Sequence, residues 1–292
     1  MSRSNTYSEP LPELAVETFD VAARQCASCR DTHTLWPYIR LSRTSIGAER
    51  EGSRLEPLLA ELLPERPVIL IAGAADTGLL ALVARATSSD AEITVLDRCD
   101  TPLEMCRRLS ARWGRLIATL HQDLRDLDIR DQFDLVLLHH TLQFVPAEHR
   151  MTVLLNLARA LHPNGYLVHS FNVSRSLSGA LGAEHRDVYP DWVLDELARI
   201  DVSLPEPHAE FRARLRAHAT NRERHTGAFV DPAEVDHLMQ AAVAGRDSTI
   251  SLANRKAQHA AHRQNRTLEL MMLTSAQDSA LRTLFGGQQR SC

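Results

Sequence analysis

Five residues constrain this chain more than any others. Val68-Ile69-Leu70-Ile71-Ala72 is apolar throughout, rich in β-branched side chains, and fenced by Pro67 and Gly73. A run so short and so uniformly apolar predicts a strand buried on both faces, the pattern of a parallel sheet covered by helices. Gly73 to Gly78 follows as a turn, and Leu79 to Ala86 as a helix.

The alternation then repeats. Glu92 to Leu96 predicts a second strand that stops at Asp97, and Thr101 to Trp113 a helix capped by Asp100 or Thr101. Leu116 to Leu120 and Phe133 to Leu138 read as the third and fourth strands. Ala147 to Leu161 reads as a periodic helix stopped by Pro163-Asn164-Gly165, and Tyr166 to Phe171 as the fifth strand. Strands alternating with helices specify a doubly wound sheet whose ligand lies at the carboxyl ends of the strands. After Asn172 the rhythm breaks. Helical patterns cover Tyr189 to Ile200 and His208 to Arg224, and Asp231-Pro232 opens another helix. Asp247 to Ala253 and Thr267 to Thr274 read as strands, and Ser275 to Phe285 as a last helix. Ahead of the first strand, the chain to about Pro12 is expected to lack structure and Glu13 to Arg24 to be helical. Cys26 to His33 reads as irregular, with Trp36-Pro37-Tyr38 after it and a short helix over Leu55 to Leu63. The expected fold is α/β: a doubly wound, seven-stranded, mostly parallel sheet with a terminal antiparallel hairpin, a helical N-terminal lid and a helical insertion. The boundaries expected are 1–64 for the lid, 65–172 for the core, 173–230 for the insertion and 231–292 for the remainder of the core.

Composition excludes some partners. Net charge is −4, so no basic excess advertises nucleic acid or an anionic membrane. No apolar run is long enough to span a bilayer, and the first ten residues lack a signal peptide's apolar stretch, so a cytoplasmic protein is expected. Five cysteines in a long chain argue against a disulfide framework. A homodimer is compatible with this composition.

Four places carry chemistry. The glycine turn lets backbone approach a ligand and offers the amides of a helix N-terminus, although a tight βα turn needs the same residues. Asp97, at the end of the second strand and 24 residues beyond Gly73, suits the two ribose hydroxyls of an adenosine-containing ligand. Gln122-Asp123-Leu124 follows the third strand, where a carboxylate can accept from an adenine amino group while Leu124 and Pro102 or Leu103 pack on the ring. His139 and His140 close the fourth strand, beside the expected switch point; a histidine there serves as general base or simply satisfies its loop.

Together these residues resemble the class I S-adenosylmethionine (SAM)-dependent methyltransferases, from about Val68 to Phe171 and again from Ala228 to Thr274. Ile69 to Ala81 looks like that family's first motif, Ile93 to Asp97 with Thr101 to Met105 its second, and Asp123 to Asp126 its adenine loop. Phe133 to Pro146 is similar to its fourth motif, and Leu157 to Val168 to its helix, turn and fifth strand. The resemblance implies SAM as cofactor, S-adenosylhomocysteine as product and a small-molecule substrate. It places the cofactor on Gly73, Ala75, Gly78 and Asp97, with Arg98, Pro102, Asp123, Leu124 and His139 around it. It makes His140, with His139 behind it, the catalytic candidates. Two departures stand out: Ile71 replaces an acidic residue, and Ala75 replaces a glycine. A non-catalytic binding member of the family and an NAD(P)-dependent oxidoreductase are the alternatives.

In the lid, Trp36, Tyr38 and Arg40 suit a substrate wall, with Gln143 facing them from the fourth-strand loop; core packing serves the aromatics equally. The insertion offers Trp192, Phe211 and Phe229 as apolar contacts. Its Arg212, Arg214, Arg216, Arg222 and Arg224 read as a solvated helix face or as an anion site. Cys26-x2-Cys29-x3-His33 has ligand types and a spacing that zinc accepts, but the sequence shows no second such pair to complete four ligands, and no metal is assigned.

Overall fold

The computed structural model describes residues 7–44, 48–173, 183–225, 232–242, 248–258, 265–275 and 289–290. Three helices open the chain: α1 (Leu11–Gln25), α2 (Arg30–Leu41) and α3 (Ala48–Leu62). The alternating unit follows as β1 (Val68–Ala72), α4 (Gly78–Ala86), β2 (Glu92–Asp97), α5 (Asp100–Trp113), β3 (Ala118–His121), β4 (Phe133–His139), α6 (Ala147–Ala160) and β5 (Leu161–Val173). Then come α7 (Ala183–Arg199), α8 (His208–His225), α9 (Pro232–Ala242), β6 (Ser248–Gln258), β7 (Asn265–Ser275) and the two-residue β8 (Gln289–Arg290). The expected cap at Asp231 and the expected last helix beyond Ser275 lie outside the described residues.

One sheet runs in the order β3-β2-β1-β4-β5-β7-β6-β8. β1 to β5 are parallel, Ile69 pairing with Ile93 on one side and Leu135 on the other. β7 lies antiparallel to β5, and β6 antiparallel to β7. The sheet thus has eight strands instead of the expected seven, five of them parallel; the extra one is the short β8 beside β6.

Side-chain alternation along β1 builds both cores. Ile69 and Ile71 face α3, α4 and α5 with Val95, Leu135 and Leu137, whereas Leu70 and Ala72 face α6 and α9 with Val136, Leu138, Leu157 and Met239. α4 is apolar on every side and buried from Gly78 to Ala84, as a helix between sheet and further helices must be. A third core sits off the sheet. There Leu35, Tyr38 and Ile39 of α2 pack on Val193 and Leu197 of α7 and on Phe211 and Leu215 of α8.

Local structure departs from the sequence expectation at four points. The stretch expected to be irregular becomes helical at Arg30 and passes through Pro37. That proline cannot donate to the His33 carbonyl; burial of Leu35, Tyr38 and Ile39 around it offsets the lost bond. β3 starts at Ala118, because Gly114 (φ +66°) ends α5 and leaves Leu116 94% exposed in the connection. Cys99, and neither Asp100 nor Thr101, caps α5. Leu161 has left α6 and begins β5.

Candidate active site

Strand order reverses between β1 and β4, so the loops after these strands flank a crevice at their carboxyl ends. The loops touch. Gly73 has φ +83°, its amide donates to the Leu96 carbonyl at 2.8 Å, and a Cβ there would stand 2.7 Å from Thr141 Oγ1. Only glycine fits both that conformation and that approach.

Asp97 stands at the end of β2, beside the β1 loop. Its Oδ2 accepts from the Ala74 amide at 2.9 Å and its Oδ1 from the Cys99 amide at 2.7 Å. Burial pushes its carboxyl up, while those two amides pull it back toward the charged form. Each oxygen keeps a lone pair for a further donor. Asp97 therefore both fixes the glycine loop and offers two acceptors. Ala75 is exposed beside it, and Arg98 turns to solvent while its carbonyl accepts from His121 Nε2 at 2.9 Å. Pro102 and Leu124 are buried. Asp123 caps the turn Leu124–Asp126, and both its oxygens accept from the Arg125 side chain at 2.9 Å, which holds its carboxyl below the usual range. A ligand taking Asp123 must share it with Arg125.

Three histidines gather where β4 meets β5. His139 Nδ1 lies 2.6 Å from Ser170 Oγ, and the His139 and His140 rings meet edge to face at 4.4 Å. His140 holds a positive φ of 52°, a conformation uncommon for a side chain of this size and typical of functional turns. His169, on β5, is fully buried. Burial pushes its imidazole down to about 3, and the charges of His140 and His139 act in the same direction.

This predicts a pH effect. An imidazole depressed in the folded state is protonated first in the unfolded chain, so its stability contribution is complete above pH ~6.5 and is lost as pH falls toward 3. Between pH 7.5 and 5.0 the loss from His169 is about 2 kcal/mol. Urea denaturation at both values should show that loss for the parent and a smaller one for His169→Leu; parallel losses in the two proteins would refute the assignment.

Two residues expected in the substrate wall, Tyr38 and Arg40, are engaged elsewhere. Tyr38 is fully buried, edge to face with Phe211 at 5.2 Å, and forms part of the third core. Trp36 packs against that core's margin. Arg40 does not await a substrate carboxylate: its side chain is 1% exposed and already pairs with Asp76 at 2.5 Å and Glu9 at 2.7 Å. Thr77 Oγ1 donates to the same Glu9. Gln143 is buried in the turn Leu142–Phe144. On α8, Arg212 pairs with Asp191 at 2.6 Å, Arg214 with Glu206 and with Asp31 of α2 at 3.1 Å each, and Arg216 with Asp187 at 2.6 Å, so these arginines already hold carboxylates from outside α8. Phe211 is core, Trp192 lies at the core's edge, and Phe229 and the side chains of Arg222 and Arg224 are outside the described residues.

The cysteine stretch gains a member that linear spacing hides. Cys26 ends α1, Cys29 caps α2, His33 lies in the first turn of α2, and Cys99 arrives from the β2–α5 loop. The donor atoms of all four lie within 4.8 Å of one another. Burial raises the Cys99 thiol, but the hydrogen bond and charge of His33 outweigh it and bring it down to about 6. The same burial, reinforced by Cys99, takes Cys29 up to about 12.

Residues 71–169 match the family model described as a methyltransferase domain. That match and the neighbours in fold are those of the class I SAM-dependent methyltransferases. SAM is the cofactor of that family. A curated relative, carboxy-S-adenosyl-L-methionine synthase of Glaesserella parasuis, is 25% identical over 171 residues, covering 58% of this chain and 66% of the relative, just under two thirds of its length. Among solved structures, the fold is shared with N-methyltransferase NodS of Bradyrhizobium japonicum in complex with S-adenosylhomocysteine, at TM-score 0.51 and 14% identity over 88% of this chain and 98% of that one. It is also shared with a Burkholderia thailandensis 1,6-didemethyltoxoflavin-N1-methyltransferase, at TM-score 0.52 and 15% identity over 92% and 91%. Among the described residues, no helix is long and apolar enough to cross a membrane.

Proposed function

We propose that this chain binds SAM in the crevice between β1 and β4 and transfers its methyl group to an oxygen, nitrogen or carbon nucleophile of a small molecule. The observation that carries the reading is Asp97: a carboxylate at the end of β2, bonded to the amide beside Gly73, with acceptor capacity remaining on both oxygens. In this reading Asp97 holds the ribose hydroxyls, and Gly73, Ala75 and Gly78 carry the backbone along the cofactor. Arg98 and Pro102 flank the adenosine. Asp123 and Leu124 meet the adenine, and His139 lines the reacting end. Residues 1–64 and 173–230 form the cap over the site. Residues 65–172 and 231–292 form the body, whose β6 and β7 make its terminal antiparallel hairpin.

SAM supplies an electrophilic methyl on a sulfonium. The protein's part is to align a nucleophile with it and keep water out. In this reading His140 takes a proton from a nucleophile that arrives protonated, with His139 steadied by Ser170 behind it. The substrate belongs under the cap, near Trp36 and Gln143. NodS and the toxoflavin enzyme act as N-methyltransferases by name, and nitrogen is therefore the first acceptor class to screen.

Titration calorimetry with SAM and S-adenosylhomocysteine tests the site. Asp97→Asn keeps the shape but removes the charge that binds the hydroxyls, and should weaken both ligands by about 1.5–3 kcal/mol, roughly 10- to 100-fold in Kd. Equal affinity in parent and variant would refute the ribose role. Binding without turnover across an acceptor screen would favour a non-catalytic member, the reading that Ile71 and Ala75 support.

A further inference from the structure

Cys26, Cys29, His33 and Cys99 take no part in the reading above. We infer that these four residues form a tetrahedral zinc site that fastens the α1–α2 junction to the β2–α5 loop. The composition, three thiols and one imidazole, is that of a structural zinc centre, in which the protein fills every position.

Geometry supports it. At a zinc–sulfur distance of ~2.3 Å, tetrahedral thiolates stand about 3.8 Å apart. Cys99 Sγ lies 3.5 Å from Cys26 Sγ and 3.4 Å from Cys29 Sγ, so small rotations of the side chains admit the ion. The imidazole is oriented for the role: His33 Nδ1 lies 3.1 Å from the Ala75 carbonyl, which fixes that nitrogen as the donor and leaves Nε2 for a metal. His33 is 7% exposed and Cys26 3%, so the group is shielded from competing water. Supporting contacts suit thiolates. Cys26 Sγ lies 3.0 Å from Thr101 Oγ1, and the Thr101 amide bonds Cys99. Cys29 and Cys99 each stand at a helix N-terminus, where partial positive charge favours the ionised sulfur.

Location gives the site its purpose. Cys99 is two residues beyond Asp97 and donates its amide to that carboxylate, and Ala75 belongs to the glycine loop. A metal here ties the first two helices to the loop after β2 and, through the Ala75 carbonyl, to the loop after β1. Zinc is the metal of choice over softer or redox-active ions because the ligand set is mixed sulfur and nitrogen and closed.

The experiment needs neither cofactor nor substrate, so its outcome is separate from that of the methyltransferase reading. Full-length protein, purified without chelator, is assayed for metals by mass spectrometry and for ligands by X-ray absorption. The expected result is one zinc per chain with three sulfurs at ~2.3 Å and one nitrogen at ~2.0 Å. Cys29→Ser should lose most of the metal, whereas Cys106→Ala, which alters a buried thiol outside the group, should keep it. Cobalt replacing zinc should give the visible absorption of a tetrahedral thiolate site in the parent. Folded parent protein with less than about a tenth of an equivalent of zinc, and no such absorption with cobalt, overturns the inference. So does a native disulfide joining Cys99 to Cys26 or Cys29.

Discussion

Arg40→Leu should destabilise the folded protein by about 3–5 kcal/mol, the range seen when one partner of a buried ion pair is removed. Arg40 is packed above the start of α4 with two carboxylates on its guanidinium, Glu9 and Asp76. Asp76 is buried, and burial together with the charge of Glu9 pushes its carboxyl up; without Arg40 it retains only the Gly78 amide at 2.9 Å. Leucine restores volume but no charge, so Asp76 must either take up a proton or draw in water. The readout is the urea midpoint at an unchanged slope. Asp76→Asn in the same chain should recover part of the loss, because the two changes share one interaction. A shift under 1 kcal/mol would mean that the carboxylates reach solvent and the pair carries little stability.

Gly73→Ala should cost about 3 kcal/mol. Roughly 1–2 kcal/mol comes from holding a side chain at positive φ, and 1–3 from crowding. The new Cβ would stand 2.7 Å from Thr141 Oγ1, with the threonine methyl closer still. Relief requires the β4 loop to move away from the β1 loop, which opens the crevice. Thr141→Ala added to Gly73→Ala should return the crowding part and leave the backbone strain. Thermal melts of the two single variants and the double variant separate these parts, and strict additivity would mean that the two loops are not in contact. SAM affinity should fall in Gly73→Ala by more than the stability loss explains, since the same loop carries the cofactor's backbone contacts.

The body of the fold could be read from sequence because its signals are local. Val68 to Ala72 has no alternative to a doubly buried strand, and Pro163-Asn164-Gly165, which falls in the first residues of β5, marks from composition alone that the helix before it has ended. Asp97 was legible for the same reason: it follows β2 directly, at a fixed distance from Gly73. The cap was harder. Pro37 and two cysteines argue against a helix in isolation, and α2 exists because α7 and α8 bury it, which no local pattern shows. Arg40 looked like a substrate ligand because its partners, Glu9 and Asp76, are 31 and 36 residues away. Glu9 lies in a stretch that promised no structure. Cys99 hid its role in the same way, since only the packing of α1 and α2 against the β2–α5 loop brings it to Cys26, Cys29 and His33.

The third core has a consequence for how the chain is made. Leu35, Tyr38 and Ile39 leave the ribosome early, but their partners Val193, Leu197, Phe211 and Leu215 follow only after the first five strands. At synthesis rates of about 5–20 residues per second, the apolar face of α2 waits roughly ten to thirty-five seconds for its cover. During that interval it is exposed surface of the kind that associates with other chains and with chaperones. Substitutions on this face therefore act on the yield of folded protein before they act on its melting temperature.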